Sequence, residues 1–240
     1  MTAQLHAVRI DAHDSRRVAE FWGGVLGWDV VDEPGGGVAV IRQDGVAYRL
    51  TVQQTDTPKP DQNRIHFDLT SASQAAMDAT IVRALELGGQ HIDIGQTPDD
   101  AHVVLADPEG NELCVIEPGS NFLADTGVIG AVNCDGSQAV GYFWSKALEW
   151  PLVWDQDEET AIQSPAGGSK ITWSGPPLME RNGRDRLHLD LSVASDTELE
   201  AEVERLTVLG ASRTEDRSET PGAVTLIDPD GNEFQVLVRA

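Results

Sequence analysis

Arg64-Ile65-His66-Phe67-Asp68-Leu69 recurs as Arg186-Leu187-His188-Leu189-Asp190-Leu191, 122 residues further along the chain. Each copy alternates apolar and polar residues, the pattern of a strand with one face buried. Ile65, Phe67 and Leu69 belong to the buried face, and Arg64, His66 and Asp68 to the other. The same parity groups Arg186, His188 and Asp190. The chain therefore writes one strand twice and sets a histidine two residues before an aspartate each time.

Working outward, Phe21-Trp22 returns as Phe143-Trp144 and Trp28 as Trp150 at the same spacing. Asp107-Pro108-Glu109-Gly110-Asn111-Glu112 returns as Asp228-Pro229-Asp230-Gly231-Asn232-Glu233, 121 residues on, so one residue is lost after Gly210. A repeat over nearly all 240 residues means two homologous domains, 1–118 and 126–240, with the turn-rich Pro118-Gly119-Ser120-Asn121 at the boundary. Each domain divides again. Leu5–Ala12 reads as a strand. Val18, Phe21, Trp22, Val25 and Leu26 follow at helical spacing up to Gly27, then three short strands. The pattern restarts at Arg64, with a helix over Ser73–Leu87 carrying Met77, Ile81, Ala84 and Leu85. Four βαβββ modules result, at 1–55, 62–118, 126–175 and 184–240, paired two per domain.

Composition removes several function classes. The net charge is −23, with 8 Lys/Arg against 19 Asp/Glu in the first 120 residues and 9 against 21 in the second. A uniformly acidic surface repels phosphate backbones and anionic membranes, which argues against a nucleic-acid or membrane partner. No apolar run reaches membrane-spanning length and no leader is evident, so the expected location is cytoplasmic. Cys114 and Cys134 have no paired spacing, which agrees with a reducing compartment.

The module order, the Phe-Trp helix end, the Arg-x-His-x-Asp-Leu strand and the Asp-Pro-x-Gly-Asn-Glu turn together resemble the vicinal oxygen chelate superfamily. More narrowly, the chain is similar to its two-domain glyoxalase/bleomycin-resistance/dioxygenase proteins. That resemblance implies an α+β fold in which four βαβββ modules form two curved eight-stranded mixed sheets, each around a cleft. It also implies one of two functions. One is binding of a small organic ligand, as in drug-sequestering relatives. The other is a metal-dependent lyase, isomerase or dioxygenase acting in detoxification or secondary metabolism.

Strand parity nominates the residues that line the clefts. His66 and Asp68 are the candidate catalytic pair, a histidine acid/base near neutral pH oriented by a carboxylate. Arg9, Asp11, Arg64 and Glu112 are candidate ligand contacts in the first half, and His188, Asp190 and Gln235 in the second. Asn133 and Asp135 stand on the second half's first strand. Trp154 and Trp173 have no tryptophan counterpart in the first half and are expected to make the second cleft aromatic. The resemblance implies a His/Glu metal cage, yet the carboxylate position is Cys114 in one half and Gln235 in the other. His6 falls one residue out of register, on the helix-facing parity. The expectation is therefore no cofactor, with a divalent metal at His66 and Cys114 as the alternative. The chain is expected to be a monomer or homodimer.

Overall fold

The computed structural model describes residues 2–33, 36–42, 48–97, 100, 102–214, 220 and 222–239. Four modules follow one another. The first holds β1 (Gln4–Ala12), α1 (Ser15–Leu26), β2 (Asp29–Asp32), β3 (Val38–Ile41) and β4 (Arg49–Gln54). The second holds β5 (Ile65–Leu69), α2 (Gln74–Glu86), β6 (Gln90–His91), β7 (His102–Ala106) and β8 (Glu112–Ile116). The third holds β9 (Ile129–Cys134), α3 (Gln138–Leu148), β10 (Leu152–Gln156), β11 (Glu159–Gln163) and β12 (Lys170–Trp173). The fourth holds β13 (Leu187–Val193), α4 (Asp196–Leu209), β14 (Ser212–Arg213), β15 (Val224–Ile227) and β16 (Glu233–Val238).

Each helix begins on a side-chain oxygen that accepts an otherwise unpaired backbone N–H. Asp14 accepts from Arg17, Ser73 from Ala76, Ser137 from Val140 and Ser195 from Glu198. Helix α1 ends at Gly27, in the left-handed region at φ 70°. Its equivalent α3 ends the same way at Glu149, φ 55°, where a side chain has to tolerate that conformation. None of the helices among the described residues is long and apolar enough to cross a membrane.

Two eight-stranded mixed sheets form, as expected, but their membership corrects the expectation that each half closes its own. One sheet has the order β14-β15-β16-β13-β1-β4-β3-β2, joining the first and fourth modules. The other, β10-β11-β12-β9-β5-β8-β7-β6, joins the second and third. We call these the outer-module and inner-module sheets. The seams are antiparallel, β1 against β13 and β5 against β9. The physical reason lies in the cores. The two modules of one half pack against each other through their helix-bearing faces, so their strands have to find edge partners in the other half.

Tryptophan makes that packing specific. The Trp22 ring on α1 meets Phe67 on β5 at 4.9 Å and 71°. Trp144 on α3 meets Phe234 on β16 at 4.9 Å and 66°. Such edge-to-face pairs add about 0.5–1.5 kcal/mol beyond the area they bury. Each indole then donates a hydrogen bond into the turn of the partner module, Trp22 Nε1 to Asp107 Oδ2 at 3.2 Å and Trp144 Nε1 to Asp228 Oδ2 at 3.1 Å. The same carboxylates accept from their own turns. Asp107 takes Glu109 N, Asn111 N and Asn111 Nδ2, and Asp228 takes Asp230 N, Asn232 N and Asn232 Nδ2. Gly110 and Gly231 make the turns possible at φ 85° and 87°. A single apolar cluster draws on both sheets and all four helices. Leu85, expected on the buried stripe of α2, is instead exposed.

His6 departs from its expected parity. It is the extra residue where the β1–β13 register shifts between Leu5 and Ala7. There its Nε2 lies 2.8 Å from Arg49 Nη2 and accepts from the guanidinium. Burial, then the charges of Arg49 and Arg239, lower its pKa to about 4.

Two expected outcomes follow from this architecture. Asp107→Ala and Asp228→Ala each strand an indole N–H and an asparagine amide inside the protein. Each should cost about 2–4 kcal/mol in urea unfolding, and a loss no larger than that of an exposed control, Asp78→Ala, would refute the role. For His6, the unfolded chain binds a proton near pH 6.5 but the folded chain only near 4. The unfolded state thus holds more protons in that window, and stability falls as pH drops through it. His6→Gln keeps an acceptor for Arg49 without titrating. Its melting temperature should fall less than the wild type's between pH 6.5 and 4, and parallel curves would contradict the assignment.

Candidate functional site

The pairing registers draw one matching row of side chains across each sheet, on the face away from the helices. In the outer-module sheet the row is Val31, Ala39, Thr51, Arg9 and His188. In the inner-module sheet it is Trp154, Ala161, Thr172, Asn133 and His66. The equivalence is fixed at the seam, where Asp11 N donates to Arg186 O as Asp135 N donates to Arg64 O. One strand step further, Asp190 pairs with Gln235 and Asp68 with Cys114. The two rows thus differ at one end, Val31 against Trp154, and at one inner position, where one has Arg9 and the other Asn133.

That central difference decides what each cleft can do. In the outer-module cleft, Arg9 Nε lies 3.2 Å from Asp11 Oδ1, and His188 Nε2 lies 3.3 Å from Asp11 Oδ2. Arg9, Asp11, His188, Asp190 and Gln235 are all buried. Burial alone would push the Asp11 carboxyl up, but His188, Arg9 and Arg184 hold it below the usual carboxylate range. Burial does push Asp190 up. A guanidinium is here the internal counter-charge of a buried cluster, in which Arg9 Nε, both His188 ring nitrogens, Asp190 Oδ1 and Gln235 Oε1 have no hydrogen-bond partner.

In the inner-module cleft Asn133 brings no charge, and its Nδ2 lies 3.4 Å from Asp68 Oδ2. His66 Nε2 lies 3.4 Å from Asp68 Oδ1, and their side chains keep 22% and 13% of their exposure, against 1% for His188. Ligand atoms of His66, Asp68 and Cys114 all lie within 4.8 Å of one another, the one such cluster among the described residues. Burial pulls the imidazole pKa down, yet Asp68 and Cys114 outweigh it and raise His66 to about 10. At neutral pH His66 is therefore a cation and a donor, where the sequence suggests a base titrating near neutrality. Cys134, the other thiol, is sealed in the core, and burial pushes its pKa up.

The structure scatters the remaining expected residues. Arg9 and Asp11 share a cleft with His188, Asp190 and Gln235 rather than with His66, because β1 pairs with β13. Arg64 leaves the cleft and forks onto Asp135, with Nε and Nη2 at 2.9 and 2.8 Å from Oδ2. Glu112 is held by Lys59 Nζ at 2.7 Å and by the Asn63 N–H at 3.1 Å. Trp173 is a correction, buried in the core and stacked on Trp144 at 6.5 Å. Thr172 pairs with Asn133 as Thr51 pairs with Arg9, a spacing of 121 rather than 122 residues. One residue of slip moves Trp173 to the opposite face. Trp154 does line a cleft, but the one containing His66.

Sequence reasoning missed Phe122, Lys170 and Thr172. Phe122, from the segment connecting the halves, meets the Trp154 ring edge-on at 5.5 Å. Lys170 Nζ sits 4.4 Å over the Phe122 ring and donates to its carbonyl. The available signal was a lysine on the cleft parity of β12, in a chain with only three lysines.

Comparison with known proteins agrees with this architecture. The family model described as a glyoxalase-like domain matches twice, over residues 7–116 and 130–237. Glyoxalase I from Zea mays superposes with a TM-score of 0.67 at 14% identity, covering 99% of this chain and 92% of that one. A dioxygenase-like protein from Bacillus subtilis gives 0.65 at 15% identity, covering 99% and 85%. At such identities the likeness concerns the fold. Among curated proteins, none matches the sequence. Two family matches spanning nearly the whole chain place this protein in the glyoxalase-like domain family.

Proposed function

We propose that this protein binds a small organic molecule in the inner-module cleft, without the metal cage that the family resemblance implies. One observation carries the reading: Asn133 stands where the opposite row has Arg9, so His66 is left reachable and uncompensated by an internal guanidinium. His66, charged at neutral pH, donates to an oxygen of the ligand, while Asp68 orients it and the thiol of Cys114 lies alongside.

A second reading, a metal-dependent lyase or dioxygenase, is favoured by the convergence of His66, Asp68 and Cys114. Imidazole, carboxylate and thiolate suit zinc or iron, and the cluster is tight enough to converge on one ion with small side-chain adjustments. Those three residues would hold it, and the bound ion would polarise a substrate oxygen.

Fragment screening by two-dimensional NMR should find ligands that shift the Trp154 indole and Asn133 amide signals together. For such a ligand, His66→Ala should weaken binding by about tenfold or more, the worth of a charged hydrogen bond. His188→Ala should leave the dissociation constant unchanged while lowering thermal stability. Equal effects of the two substitutions would defeat the proposal. Elemental analysis after expression with zinc, iron, manganese and nickel separates the readings. Sub-stoichiometric metal agrees with the first, whereas about one ion per chain, lost in Cys114→Ser, would replace it with the second.

A further inference from the structure

Two donors without acceptors and, among the described residues, a lysine without a carboxylate stand on the same face of β10 and β12. Thr172 Oγ1 and Trp154 Nε1 are enclosed with no hydrogen-bond partner. An indole N–H can only donate, so nothing but an acceptor satisfies it. Both belong to the row that ends at His66, with Ala161 between them. Lys170, two residues before Thr172 and on the same face, spends one of its ammonium protons on the Phe122 carbonyl. Among the described residues no carboxylate lies within ion-pair distance of it, although the chain has 40 Asp and Glu.

The pseudo-symmetric counterpart shares the unpartnered threonine, Thr51, but has Val31 in place of Trp154 and differs again at the cation. Lys170 corresponds to Arg49, as Thr172 corresponds to Thr51. Arg49 is committed twice, its Nη1 2.9 Å from Glu33 Oε1 and its Nη2 2.8 Å from His6 Nε2. One cleft therefore neutralises its cation with its own carboxylate and the other does not. The same end of the inner-module cleft carries the two aromatic rings, Trp154 and Phe122, and Phe122 comes from the connecting segment rather than from a strand.

From this geometry we infer that the ligand of the inner-module cleft is a flat organic anion, its acceptor oxygens taken by Lys170, Thr172 and the Trp154 indole. Its apolar body lies along Trp154 beside Phe122, toward His66. The inference rests on the cleft being the binding site, as proposed above, and adds the ligand's charge and shape. A carboxylate or enolate oxygen satisfies all three donors, and a charge-assisted bond to an ammonium in a partly enclosed site is stronger than a neutral one.

Calorimetric titration with 2-naphthoate and its uncharged analogue 2-naphthamide tests this on the full chain. Wild-type protein should bind naphthoate at least about tenfold more tightly than naphthamide, the difference expected for a charged over a neutral hydrogen bond. Lys170→Met should erase that preference by weakening naphthoate more than naphthamide, and Lys170→Arg should restore it. Thermal melts confirm that each variant is folded. Equal affinity for the two probes, or a preference that survives in Lys170→Met, would overturn the inference and leave cleft binding standing. Failure of wild-type protein to bind either probe would also overturn it, and the proposed function would then be judged by its own NMR map.

Discussion

The hydrogen bond from a helix tryptophan to the turn aspartate of the neighbouring module is the constraint on which the rest of the fold depends. Trp22 to Asp107 and Trp144 to Asp228 each tie an indole to a buried carboxylate already saturated by its own turn. Burial pushes both carboxyls up, and the Asn, Trp and backbone donors pull them back. The turn reaches further still. Glu109 accepts from the His13 and Asp14 N–H groups, and Asp230 from the Ser137 N–H, at the starts of α1 and α3. Helix start, indole and turn are thereby locked together within each half. The helix-bearing faces of its modules turn toward one another and the polar faces of their strands turn apart. Neither half completes a sheet alone, so each cleft row draws strands from both.

This explains how the sequence could reveal so much and still mislead about membership. The Arg-x-His-x-Asp-Leu repeat marked the two seam strands, and alternation placed Ile65, Phe67 and Leu69 in the core as the structure has them. Parity says which face a residue occupies but not which strand lies beside it. Pairing within a half or between halves satisfies the same alternation, so Arg9 and Asp11 could not be assigned to His188 rather than His66. Counting also fails wherever the register is interrupted. The bulge at His6 and the single-residue slip at Trp173 each reverse a face, and neither leaves a local mark in composition. Caps such as Ser73 and Ser195 were legible in principle, because they precede apolar periodic runs.

The roles of Arg64 and Glu112 were hidden for another reason. Both sit on the cleft parity, and both are drawn into ties at the strand ends by partners distant in sequence, Asp135 for one and Lys59 for the other. A charged residue on a cleft-facing strand is a ligand contact only if no protein group reaches it first. That competition is decided by loops, whose conformations periodicity does not report.

Duplication also removes the need for both clefts to stay open. Each row holds a histidine, a threonine and a small residue at corresponding places. In one row an arginine lies beside Asp11 and supplies a counter-charge within a buried polar cluster. Removing either partner of such a cluster would leave a buried charge unmatched. The other row has the neutral Asn133, Trp154 where its counterpart is Val31, and a cation without a carboxylate among the described residues. Unpaired polar groups are costly in a core but are tolerated where a ligand completes them, and in the inner-module row they include an indole N–H, which only an acceptor can satisfy.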